Sequence, residues 1–259
     1  PYGRLHVEDA LGGASLDFDA ADYGWPRLGH IVENRLVAGA LNAAIVREGR
    51  IRVEIPSAFA RAEAVAHGMR VHLADGRRLD TRLLIGADGA ASPVRTDAQI
   101  GVDGGEYGQS ALVCHIEHER AHKGTAWQRF LPSGPVAFLP LMDGRSSIVW
   151  TLPTARAAEL RDAEPEVFEA QLAKASARHF GDVRLVSARA IHPLRRQIAQ
   201  RFTAPGLVLV GDAAHVVHPL AGQGVNLGFE DVTALVTLIE TARGAQRPLF
   251  AASDLARWA

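Results

Sequence analysis

The chain has 259 residues, 47% of them apolar and 22% charged, a balance that supports a sizeable buried core and excludes disordered and fibrous classes. Its formal net charge is −1 with a pI near 7.0, and no stretch concentrates Lys or Arg without acids nearby, so no nucleic-acid surface is expected. Cys114 is the single cysteine, which excludes disulfides within the chain and a zinc-thiolate cluster, and no run of 18 apolar residues is present to cross a membrane as a helix.

In chain order, the opening "PYGRLHVEDALGG" shows neither a strand nor a helix start and reads like the middle of a domain. Apolar residues at Ile31, Val32, Leu36, Val37, Ala40, Leu41, Ala44 and Ile45 recur three and four apart, predicting an amphipathic helix that ends at Gly49. The next stretch alternates at period two around Asp75-Gly76 and closes on "RLLIGAD", a ribbon feeding a buried strand. From 101 to 200, the runs "SALVCHIEHE", "TAWQRFLP", "PVAFLPL" and "SSIVWTLP" predict a mostly antiparallel sheet, followed by a helix from about Pro165 to Phe180. "GLVLVGDAAH" then returns to a buried, parallel-type strand, and a helix is expected over 224–243.

The strands at 83–88 and 207–212 end alike, in an acidic residue beside glycine. In "LLIGADGAASPVR", Asp88 and Gly89 follow a buried strand, and Ser92 to Arg95 predict a short helix whose N–H groups face an anion, with Arg95 as a fork for phosphate. An Asp-Gly pair is equally a hairpin turn, so this signal alone is weak. In "GLVLVGDAAHVVHPLAGQGVNLGFEDV", Gly211 and Asp212 end the second strand, while Gly222 and Gly224 flank a helix start whose free N–H groups favour negative charge. Ten residues separate strand from helix, too late for a dinucleotide Gly-rich turn, which follows its strand at once. Asp212, His215 and His218 stand three apart, but a metal needs a further ligand and supporting partners; the structural reading of the histidines is preferred, and no metal site is expected.

These two motifs, in this order, resemble the Asp-Gly and Gly-Asp fingerprints of the aromatic-ring flavoprotein monooxygenases related to p-hydroxybenzoate hydroxylase. "HPLAGQGVNLGFEDV", "IVENRLVAGAL" and "RFLPSGPVAFLPL" are similar to the ubiquinone-biosynthesis hydroxylase branch of that family. The resemblance implies an α/β chain in which an incomplete FAD-binding, Rossmann-like domain (1–100 and 201–259) is interleaved with a β-sheet substrate domain (101–200). It implies FAD as cofactor, held by Arg35, Asp88, Gly89, Arg95, Gly211, Asp212, Pro219, Gly222, Gln223, Gly224, Val225 and Asn226. Asp212 would bond the ribityl chain, and the helix start at Gly222 to Asn226 would face the flavin's pyrimidine. His218 and Pro219 would lie beside the flavin, with no protein nucleophile required.

NAD(P)H would reduce the flavin, and O2 would hydroxylate a polyprenylated phenol or benzoquinol, with Trp127, Phe130, Phe138 and Leu141 either lining its pocket or serving as core. Such a substrate implies a cytoplasmic protein working at the membrane surface or within a biosynthetic complex. The family's Gly-x-Gly-x-x-Gly unit does not occur in the sequence, so the chain looks like a fragment. Hydroxylation of a small soluble aromatic, and a non-catalytic module that does not retain flavin, are the alternatives.

Overall fold

A computed structural model describes residues 1–218 and 222–245. In chain order the elements are β1 (Arg4–Asp9), β2 (Ser15–Asp19), α1 (Asn34–Glu48), β3 (Phe59–Val65), β4 (Gly68–Leu73), β5 (Arg78–Thr81), β6 (Leu84–Gly86), α2 (Pro93–Asp97) and β7 (Val102–His118). They continue with β8 (Thr125–Leu131), β9 (Gly134–Pro140), β10 (Ser146–Pro153), α3 (Thr154–Asp162), α4 (Pro165–Ala175), β11 (Val183–Leu185), β12 (Ala190–Ala199), β13 (Thr203–Ala204), β14 (Leu207–Leu209), β15 (His215–Val216) and α5 (Gly224–Gly244). The chain divides into two compact units, residues 1–52 with 108–194 and residues 53–107 with 195–259, and passes between them after residue 52, inside β7 and inside β12.

In the first unit the strands run in the order β7-β10-β9-β8-β1-β2, with β11 also paired to β7. All pairings are antiparallel except β1 with β8, which is parallel from Arg4 opposite Thr125 to Asp9 opposite Phe130. That pairing is why residues 1–52 group with 108–194, whereas the family resemblance put all of 1–100 with the C-terminal part. The opening residues, expected to carry neither strand nor helix start, form a β1–β2 hairpin whose turn is closed by Asp9, its carboxylate accepting from the N–H groups of Leu11 and Gly12. Period-two alternation in β10 buries Ser146, Ile148 and Trp150 on one face, and α3 and α4 cover the core with Leu160, Phe168 and Leu172. Truncating one of these to alanine is expected to cost about 2–5 kcal/mol.

The helix expected over 165–180 starts as expected but is shorter, one helix (α4) followed by a turn, and a separate helix, α3, precedes it. Glu164 is extended and Pro165 opens α4, so α3 stops before it; α4 ends at Ala175 with Ser176 as its cap, and Ala177 and Arg178 take positive φ. In α1 the expected apolar spacing is present and Gly49 closes the helix at φ +66, but Leu36, Leu41 and Val46 remain exposed among the described residues. Of the residues expected either to line a pocket or to serve as core, Trp127 and Phe138 are core side chains at 1% and 0% exposure.

The second unit contains two small sheets. β3-β4-β5 is an antiparallel meander turning at Asp75-Gly76, with Gly76 at φ +87, where the sequence predicted a ribbon. β13-β14-β6 pairs β14 with β6 in parallel, Leu207 opposite Leu84 and Leu209 opposite Gly86. The front part of β7 neighbours β12, which in turn pairs β15. Gly104 permits the first contact, since a Cβ there would stand 2.0 Å from the Arg196 carbonyl oxygen. Val208 and Val210 pack against Leu235 of α5, while Leu207 and Leu209 pack against Val94 and Ala213. The strand is thus buried on both faces, as its unbroken apolar run implied.

Candidate functional site

Parallel strands β6 and β14 deliver their carboxyl ends to the two acidic turns singled out in the sequence. The turns are built differently. Asp88 is engaged internally: its Oδ1 accepts the Ser92 hydroxyl at 2.5 Å and its Oδ2 accepts the Val94 N–H at 3.0 Å. Ser92 Oγ in turn accepts the Arg95 N–H at 2.9 Å. The amides expected to face an anion at the start of α2 are therefore already satisfied by side chains, and Asp88 serves that short helix as a cap. Gly89 follows at φ +82, the left-handed conformation this turn requires.

Arg95 departs furthest from expectation. It is buried, and its Nη1 and Nη2 donate at 2.8 Å to the carbonyls of Ala213 and Ala90. Gln197 donates to the same Ala90 carbonyl at 2.7 Å. The guanidinium thus ties the first acidic turn to the second instead of standing open as a phosphate fork. Arg35 lies in the other unit on α1, with its side chain 79% exposed and paired with Glu33 at 2.5 Å.

The second turn presents its carboxylate outward. Gly211 has φ +58 and donates its N–H to Asp231 of α5 at 2.7 Å. The same Asp231 oxygen lies 2.8 Å from His215 Nε2. An ionised carboxylate only accepts, so that nitrogen is the donor. A Cβ on Gly228 would stand 3.4 Å from Gly211 Cα, so a glycine on the helix lets the loop approach closely. Asp212 is exposed, with no partner among the described residues. Gly222 has φ +67, Gln223 supplies no side-chain cap, and Gly224, Val225 and Asn226 form the first turn of α5. The first-turn amides, which lack partners inside any helix, have no other partner among the described residues and lie at the positive end of the dipole.

His215 is held by Asp231 and His218 packs edge-on against Tyr107 with ring centroids 5.0 Å apart, so the two histidines have separate surroundings. Pro219 lies outside the described residues. Asp231 was missed in the sequence; its signal is an acid seven residues into the predicted helix, two turns from the start and on the face that meets the strand end.

This geometry defines the class: a parallel strand pair with a free carboxylate and an uncapped helix N-terminus at its carboxyl ends, where open α/β sheets take nucleotide cofactors. A family model described as "FAD binding domain" matches residues 31–250, and the chain belongs to that family.

Among curated relatives, 3-demethoxyubiquinol 3-hydroxylase of Escherichia coli (strain K12) is 39% identical over 243 residues, covering 94% of this chain and 62% of that protein. Ubiquinone hydroxylase UbiL of Rhodospirillum rubrum is 40% identical over 253 residues, covering 91% and 58%. Human mitochondrial ubiquinone biosynthesis monooxygenase COQ6 is 35% identical over 298 residues, covering 98% and 63%. The chain thus spans between 58% and 63% of the length of these relatives. The solved structure of pqsL, a probable FAD-dependent monooxygenase from Pseudomonas aeruginosa, shares the fold, with a TM-score of 0.79 at 23% identity over 99% of this chain and 72% of that one.

Proposed function

We propose that the protein is an FAD-dependent monooxygenase that uses NAD(P)H and O2 to hydroxylate the aromatic ring of a polyprenylated phenol or benzoquinol in ubiquinone biosynthesis. The observation that carries the cofactor reading is Asp212, an exposed carboxylate without a partner among the described residues, on the turn that Asp231 fastens to α5. The relatives' printed activities supply the reaction and the substrate class.

The residues fit a flavin nucleotide by their chemistry. Asp212 would accept hydrogen bonds from ribityl hydroxyls, and the N–H groups of Gly224 to Asn226 would stabilise negative charge on the pyrimidine. Gly211 and Gly222, both at positive φ, bend the backbone without bulk beside that place. Asp88 and Arg95 act one step back by holding the turns, and Arg35 and His218 are further cofactor-side residues on the family pattern. Bound FAD would supply the redox chemistry, accepting hydride from the nicotinamide and activating O2. The chain's contribution is binding, orientation and charge placement.

The second unit is assigned to the cofactor and the sheet of the first unit to the substrate. Phe130, 40% exposed on β8, and the partly exposed Leu141 remain available to an apolar ligand, unlike Trp127 and Phe138. No helix among the described residues is long and apolar enough to cross a membrane. On this reading a prenylated substrate would be met at the cytoplasmic membrane surface or handed over within an assembly, as its apolar tail demands.

The test is product analysis: with FAD, NADH or NADPH and O2, a short-chain prenylated phenol should gain one oxygen atom on its ring. Turnover of small soluble aromatics alone would move the substrate assignment to them, and loss of flavin on purification and reconstitution would remove the reading.

A further inference from the structure

Three residues past Asp212, His215 stands on β15 with its side chain 12% exposed, opposite Ile198 of β12 and with Phe202 6.0 Å from it between ring centroids. Both neighbours are apolar, so the ring is held by Asp231 of α5, whose Oδ2 accepts the Nε2–H at 2.8 Å. The same oxygen accepts the Gly211 N–H, and His215 is thereby tied through one acceptor to the bend that presents Asp212. Its other nitrogen is uncommitted. Nδ1 has no hydrogen-bond partner among the described residues and, unlike Nδ1 of His218, is open to solvent. A proton can therefore be added at Nδ1 without breaking the bond from Nε2–H to Asp231.

The surrounding charges give that proton a consequence. Asp212 and Asp231 attach two carboxylates to one short bend, and the cation joined to it is Arg95, whose Nη1 ends on the Ala213 carbonyl at 2.8 Å. Together they leave one negative charge in excess while His215 is neutral, and none once it is protonated. The remaining charged groups on the elements packed against the ring are Arg196 of β12, Arg201 beside Phe202 and Glu230 beside Asp231. All three are exposed, where solvent and salt screen them. The ligand assigned to this bend carries negative charge on its phosphates, which an excess of the same sign opposes. Binding of that ligand and protonation of His215 must then favour each other, because such coupling is reciprocal.

Resting on the flavin reading above, we propose that His215 is a positioning residue that makes cofactor affinity pH-dependent: as an imidazolium it keeps its hold on Asp231 and cancels the excess charge beside Asp212. Affinity is highest below the range in which imidazoles titrate and falls as pH rises through it. The test is equilibrium dialysis of the whole chain against FAD at constant ionic strength, at about pH 6 and about pH 8. The parent is set beside His215→Gln, whose amide N–H can still donate to Asp231 but which cannot gain a proton. The two proteins should bind alike at the higher pH, and the parent about tenfold more tightly than the variant at the lower one. The other histidines are common to both and cancel in the comparison, and urea midpoints at each pH check that both are folded. Equal affinities at both pH values, or a gap that widens as pH rises, overturn the proposal and leave the flavin site standing. A parent that takes up no flavin at either pH overturns it together with the reading on which it rests.

Discussion

One oxygen of Asp231 receives both the Gly211 N–H, at 2.7 Å, and His215 Nε2, at 2.8 Å. A single carboxylate on α5 thereby fixes both sides of the turn that presents Asp212, and the helix start and the acid cannot shift independently. Asp231→Ala would strand a backbone N–H and an imidazole donor, costing about 2–4 kcal/mol from one bond to a charged group and the groups left unpaired. Urea unfolding should show it, together with weaker flavin binding. Asp231→Asn keeps one acceptor oxygen and should lie between this variant and the parent.

Asp212 makes the contrasting case. It is exposed and unpartnered among the described residues, so Asp212→Asn should leave the unfolding midpoint within about 0.5 kcal/mol of the parent. Flavin affinity should nevertheless fall by about tenfold or more, the scale of a hydrogen bond to a charged group. Equilibrium dialysis against FAD beside a denaturation curve separates the two effects.

Arg95 spans two turns, donating to Ala90 and Ala213, and Arg95→Met would leave both carbonyls without that donor. The expected loss is about 2–4 kcal/mol. Arg95→Lys should recover only part of it, because a single ammonium cannot reproduce the planar fork. Thermal melting of the three proteins gives the order.

Burial holds the His118 ring below the usual 6.5, with His122 adding to the effect, and burial likewise lowers His179, with His6 adding. The unfolded chain therefore takes up protons first as pH falls. The stability associated with the neutral rings is present above about pH 6.5 and is lost as pH drops from there through the lower folded values. Urea midpoints between about pH 8 and 5 should decline over that window, and His118→Gln should flatten part of the decline.

Cys114 is buried in the sheet core, and burial pushes its thiol up to about 12. It should resist iodoacetamide in the native protein and react once urea unfolds the chain; mass spectrometry reads the difference.

What could be read in advance follows from how local each signal is. The alternation in β8, β9 and β10, the apolar run of β14 and the long amphipathic α5 are local patterns, and each was placed within a few residues. β1 escaped because its support is a parallel pairing with β8, more than a hundred residues away. β12 escaped because burial is confined to Leu194 and Ala199 in an arginine-rich stretch, which leaves no period of two. The Gly211-Asp212 turn and the α5 start were legible from glycine and acid spacing. The interior roles of Asp88 and Arg95 were not, since a capping carboxylate and a ligand-binding one look the same in sequence, and only burial and the Ala213 carbonyl distinguish a tying arginine from a free one.

The most direct measurement is the visible absorption of bound flavin after the chain, joined to a family Gly-x-Gly-x-x-Gly strand-turn-helix unit, is incubated with excess FAD and desalted, with Asp212→Ala treated in parallel. Retained flavin in the parent, its loss in an equally stable Asp212→Ala, and no change on substituting an exposed acid elsewhere are the predicted results. A joined protein that retains no flavin, or an Asp212→Ala protein that retains as much as the parent, would contradict the assignment of this turn and the α5 start to the cofactor.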